Sequence, residues 1–257
     1  MWKAIRIALL LAVLAFVASG TWFERRRAHE WKEPQEMGIV PVAGDDSAIT
    51  AAYVAALKPE EFAELEEFFA AQGAAYGLGV GTPLRVHLYA PVATLPPDPP
   101  RGGTALSALW WSLQLRYYAA RYGVEPPRAG TAIRMFVVFH DPARAPQLPH
   151  SAGLQKGLIG VAHVFAARHM RGSNAVVIGH EYLHTVGGTD KYDPTTDAPL
   201  YPQGFAEPAA EPRYPQRYAE IMAGRRPLSP TTQEMPESLG QCVVGEATAA
   251  EIGWVAH

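Results

Sequence analysis

Residues 172–190 read GSNAVVIGHEYLHTVGGTD. Gly172-Ser173-Asn174 offers a helix cap, and Ala175 to Val186 then reads as a helix. Residues four apart in a helix differ by roughly 40° in direction and about 6 Å in height. His180 and His184 can therefore reach one metal ion from one face. Glu181 is turned about 100° from His180, so it lies beside the metal and is suited to handling a water. Zinc lowers the pKa of a water it binds towards about 7, and a neighbouring carboxylate takes the proton. Gly187 follows His184 by three residues and takes positive φ cheaply, which ends the helix in a sharp turn. The reversed chain then brings the Asp190 carboxylate back towards the histidines. Val176, Val177 and Ile178 make the preceding turn apolar. A His-Glu-His group planted there needs a compensating charge, and a metal supplies one.

The pattern HExxHxxGxxD resembles the zinc signature of the metzincin clan of metallopeptidases. Most members place a third histidine where this chain has Asp190. The snapalysin-type bacterial proteases carry an aspartate there, followed by a tyrosine, and Asp190-Lys191-Tyr192 is similar to that variant. The clan also has a methionine in a tight turn beneath the metal. Ala219-Glu220-Ile221-Met222-Ala223-Gly224 resembles that turn. The resemblance implies zinc as cofactor, Met222 as an apolar floor and a peptide or protein substrate. It covers about 85–255, with its specific part at 180–190 and 219–224. No tyrosine follows Met222 closely, and residues 24–80 have no counterpart in the clan.

Other third ligands compete with Asp190. A gluzincin uses a later glutamate, for which Glu207 and Glu211 are candidates, although their surroundings do not read as a helix. Gly188-Thr189-Asp190-Lys191-Tyr192 resembles a compressed aspzincin motif. Asp193 is displaced from the expected turn. Asp190, Asp193 and Asp197 lack the glycine and terminal glutamate of an EF-hand calcium loop. Tyr192, Tyr201 and Tyr218 are candidate oxyanion donors that read equally as packed aromatics. His87 and His163 lie in strand-like segments, and His140 is read as capping a turn before Asp141-Pro142.

Further out, Leu84–Tyr89 alternates as a strand. Thr104–Tyr122 reads as a long helix, Ala132–Phe139 as a strand and Gly157–Ala167 as one or two more strands. Ser47 to about Gly73 is helical, with Pro59, Glu60 and Glu61 in a first turn and Phe62, Leu65, Phe68 and Phe69 on one stripe. Residues 24–46, with Pro34, Pro41 and Gly44, read as a linker. Prolines interrupt 189–238, and Glu246–Trp254 returns to helix. The expected class is α+β. A mixed twisted sheet with a helix and an active-site helix is followed by a largely irregular C-terminal subdomain ending in a helix.

Lys3 and Arg6 precede an uninterrupted apolar run at 7–18, followed by Ser19 and Gly20. Residues 1–23 therefore read as a signal peptide or membrane anchor, 24–80 as linker and helical extension, and 81–257 as the metal domain. An exported or membrane-anchored protein is expected, with orientation open because Arg25, Arg26 and Arg27 follow the run. A net charge of −3 excludes a general electrostatic attraction to nucleic acid. The single cysteine, Cys242, excludes an internal disulfide and a cysteine-rich zinc cluster. The expected activity is a zinc-dependent hydrolase, with a metalloendopeptidase first. The alternatives are a membrane-tethered binding or assembly protein with a structural zinc, and an amidase acting on cell-wall peptides.

Overall fold

The computed structural model describes Arg6 and residues 30–100, 104–123, 132–155 and 157–255. The apolar run at 7–18 lies outside the described residues. Among the described residues, no helix is long and apolar enough to cross a membrane.

The sequence Ala-Ile-Arg-Met-Phe-Val-Val-Phe-His gives strand β3 (Ala132–His140). A nearly unbroken apolar run marks a strand covered on both faces. Its side chains divide by parity. Ile133, Met135, Val137 and Phe139 enter one core, while Phe136 and Val138 enter another. Around it lie β1 (Gln35–Ala43), β2 (Leu84–Leu88), β4 (Ala152–Leu154) and β5 (Ile159–Phe165). The sheet runs in the order β2-β1-β3-β5-β4. Its first four strands are parallel, and β4 pairs antiparallel with β5 at the edge.

Helix α1 (Ala48–Ala55), helix α2 (Ala63–Ala75) and the later helix α4 (Arg171–Thr185) cover the first face. Helix α3 (Ala105–Tyr122) covers the second with Trp111, Leu115, Tyr118 and Ala119. The architecture is therefore mixed α+β with helices on both sides of a five-stranded mixed sheet. On the outer side of α3, Trp110, Leu113 and Tyr117 stay exposed and line a cavity of about 530 Å³ with Leu95 and Pro97.

Two expectations need correction. Residues 24–46 are not all linker, because Gln35–Ala43 forms a buried strand between β2 and β3. Pro41 fits there for a positional reason. Its carbonyl accepts from the Val92 amide (2.9 Å), so its missing N–H faces the side where β2 has already ended at Leu88. The core also joins both sides of the boundary expected at residue 81, since Leu65 and Phe69 pack in one cluster with Ile178 and Tyr182. The second correction is the start of helix α4. It begins at Arg171, after a 3₁₀ turn (Arg168–Met170), and not at a Gly-Ser-Asn cap. Asn174 instead uses its amide to bond the Phe165 backbone in both directions (3.0 and 2.8 Å), tying α4 to the end of β5.

After α4 the chain is largely irregular, as expected. It holds β6 (Ala219–Glu220), a hairpin of β7 (Arg226–Ser229) and β8 (Thr232–Glu234), β9 (Cys242–Val243) and a closing helix α5 (Glu246–Glu251). Trp31 reaches across from the other end of the chain. Its indole N–H donates to the Ile252 carbonyl (2.7 Å), and its ring meets Trp254 edge-on at 5.7 Å.

Candidate metal centre

Helix α4 carries His180, Glu181 and His184 in its last two turns, and its end explains how Asp190 reaches them. Gly187 takes φ 109°, closed to most side chains. The Gly188 amide bonds the Leu183 carbonyl (2.8 Å), and the Gly187 amide bonds that of His184 (3.3 Å). These two bonds make a Schellman termination. They turn the chain so that Asp190 points back over the helix.

Asp190 Oδ1 lies 3.2 Å from His180 Nε2 and 3.1 Å from His184 Nε2, and the two Nε2 atoms are 3.1 Å apart. Both imidazoles have fixed tautomers. His180 Nδ1 donates to the Ile221 carbonyl (2.9 Å), and His184 Nδ1 donates to the Gly188 carbonyl (2.9 Å). In the neutral rings, each Nε2 must then carry a lone pair. Two nitrogen lone pairs and a carboxylate oxygen then converge on one point, where a metal ion could be held. Atoms on tetrahedral bonds of about 2.0 Å lie roughly 3.3 Å from one another, so the observed triangle suits zinc. Among the described residues, these three form the one group of His, Cys, Asp or Glu side chains that can hold a metal.

The same side chains are strongly coupled electrostatically. Burial opposes charge on His180, but Asp190, Glu181 and the Ile221 carbonyl outweigh it and lift its pKa to about 9. Burial likewise opposes charge on Asp190, yet hydrogen bonds from both histidines hold it well below the usual carboxylate range. Glu181 is 5% exposed, and its Oε2 is buried without a hydrogen-bond partner. Burial pushes its pKa up, against the pull of His180 and His184. A buried carboxylate oxygen without a partner is costly unless a ligand or water completes it.

The methionine turn stands beneath these residues. Ile221–Ala223 forms a 3₁₀ turn, Met222 is fully buried, and Gly224 closes the turn at φ 67°. Glu220 caps it, accepting from the amide of Ala223 (2.9 Å), the amide of Gly245 (3.2 Å) and the hydroxyl of Thr248 (2.7 Å). The Met222 carbonyl in turn accepts from the Lys191 amide (2.9 Å), which ties this turn to the loop bearing Asp190.

The rival ligands have other employment. Asp193 Oδ1 closes a turn through the Thr195 and Thr196 amides (2.8 and 3.2 Å), and Asp197 pairs with Arg225 (3.0 Å). Glu207 accepts from the Arg217 amide, and Glu211 is exposed. Among the tyrosines, Tyr192 adjoins the site, with its ring 6.4 Å from that of His180 and its side chain bonded to Asp190. Burial, aided by Asp190 and Glu181, pushes it up to about 12. Tyr201 meets Phe205 edge-on beneath Arg213, and Tyr218 lines a separate cavity beside Phe68 and Leu239. His87 pairs with Glu36 (2.5 Å). His140 does not cap a turn; its Nε2 meets His163 Nδ1 at 2.9 Å, while Asp141 takes the Ala143 amide. Cys242 is a buried free thiol, raised by burial to about 12.

One residue escapes a reading of the sequence. A Cβ on Gly153 would lie 2.5 Å from His184 Cβ and 2.6 Å from the Glu181 carbonyl. Only glycine lets the edge strand β4 lie this close to α4, and nothing local in the sequence marks that approach. Compared with known protein families and with curated proteins, the chain matches none.

Proposed function

We propose that the chain is a zinc-dependent hydrolase, a metallopeptidase of the kind that the metzincin-like stretch at 180–190 implies. One observation carries this reading. Three lone-pair atoms converge beside a buried carboxylate oxygen that has no partner. Zinc, when bound, supplies a Lewis acid that acidifies water and polarises a carbonyl.

The chain's own groups do the rest. The Ile221 and Gly188 carbonyls hold the imidazoles with Nε2 turned to the site. Such outer partners set the tautomer and ring orientation of metal-binding histidines. Glu181 takes the proton of the attacking water and delivers it to the leaving amine. Its raised pKa suits the second half of that exchange. Among the described residues three candidate ligands converge, which supports an open coordination position over a closed structural site. Peptide as substrate is supported by β4, the sheet's antiparallel edge strand lying against His184. An extended segment can add to such an edge through main-chain hydrogen bonds. The apolar run at 7–18 supports an exported or membrane-anchored setting.

The test uses the full-length chain in metal analysis and cleavage of an unbiased peptide library. Glu181→Gln is expected to keep its zinc and lose about 10²–10⁴-fold in rate. Full activity in that variant overturns the assignment. An uncut library with cleaved cell-wall peptides moves the substrate to the amidase alternative.

A further inference from the structure

The third ligand sits on a loop that has no regular structure of its own. Asp190 is 44% exposed at its side chain, against 13% and 19% for His180 and His184. An exposed aspartate on an irregular loop needs something outside the loop to hold it. Both of its neighbours share one anchor, besides the backbone bonds of Lys191 to Met222 and Leu200. The Thr189 amide and hydroxyl donate to the two carboxylate oxygens of Glu251 (2.8 and 2.7 Å). Lys191, 7% exposed at its side chain, donates from Nζ to the same two oxygens (2.8 and 2.7 Å). The ammonium also reaches the Thr189 carbonyl and hydroxyl, both at 2.8 Å. Glu251 thus receives both residues that flank the ligand, and it is the last residue of α5.

We infer that Glu251, acting through Thr189 and Lys191, is a positioning residue that places Asp190 on the metal and sets the site's affinity for zinc. This rests on the zinc reading above. The clamp has a second effect. Lys191 is adjacent to Asp190 in the chain, and Glu251 occupies its ammonium. Without Glu251, that buried cation loses its carboxylate partner, and the loop loses the contact that holds Thr189 and Lys191 together.

The experiment measures zinc affinity of the full chain by chelator competition, together with the visible spectrum of the cobalt(II) form. Glu251→Gln and Lys191→Met are expected to bind zinc about 10–100-fold more weakly, the range for outer-shell partners of metal ligands. Their cobalt spectra should shift towards that of Asp190→Ala, which lacks the ligand altogether. Lys191→Arg, which keeps the charge and the donors, should restore the wild-type spectrum. Thr189→Ala provides a milder lesion if either of the first two variants does not fold, and should show the same spectral shift. Wild-type affinity in Glu251→Gln and Lys191→Met, or weakened affinity with an unchanged cobalt spectrum, overturns the clamp. A wild-type chain that binds zinc no more tightly than Asp190→Ala overturns the zinc reading itself.

Discussion

Two residue pairs separate ligation from burial. Asp190 and Asp193 are both acidic and three apart, but one faces two imidazoles and the other closes a turn. Asp190→Ala should therefore lower zinc affinity by at least the 10–100-fold seen for outer partners, while Asp193→Ala leaves it near wild type in the same competition titration. The His140–His163 pair behaves in the opposite way to His180. Burial, reinforced by His140, lowers the His163 pKa from 6.5 to about 4. The unfolded chain thus binds a proton that the native state refuses. Stability from this site is complete above about 6.5 and is lost as pH falls towards about 4, on the order of 2–3 kcal/mol in all. Urea unfolding at pH 7 and pH 5 should show a smaller acid loss in His163→Asn than in the wild type. An equal loss in both would remove His163 as the cause.

Among the elements, legibility followed periodicity and failed where chain breakers were tolerated. Ala132–His140 and the helix around His180 were readable because their patterns are long and apolar. Strand β1 was not, because Gly38 and Pro41 interrupt it and only the end of β2 makes Pro41 harmless. The site itself was legible at His180, Glu181, His184, Gly187 and Asp190, which lie within eleven consecutive positions. Glu251 and Gly153 were not, because nothing local in the sequence marks a partner that only the fold delivers. The approach of β4 to α4 gives a direct test. Gly153→Ala places a methyl carbon against backbone and Cβ atoms, which cannot swing aside. Destabilisation of about 1–3 kcal/mol is expected from this overpacking, read as a lower urea midpoint. Peptide cleavage should fall further than zinc content, since the ligands are not on β4.

At the level of the whole molecule, the two ends of the described chain hold one another. Trp31 bonds Ile252 and meets Trp254 edge-on. Trp254 in turn meets Phe69, and Phe69 lies edge-on to Tyr182 in helix α4 at 4.7 Å. Trp31→Ala should cost about 3–5 kcal/mol, as large-to-small changes of buried aromatics do. It is expected to lower the thermal midpoint, and the loss should persist in the metal-free protein because the aromatic chain does not involve the ligands. The Trp31–Ile252 hydrogen bond spans 221 residues of sequence. Closing contacts that distant is slow, and parallel strands such as β1 and β3 add to the delay. During synthesis, β1 has no β3 to pair with until most of the sheet has been made. The loop bearing Asp190 likewise gains its Glu251 anchor only after a further 62 residues beyond Thr189 have been made. The three side chains that could hold a metal ion are thus written within eleven consecutive positions, yet the loop that presents Asp190 waits on a much later stretch of chain to be anchored.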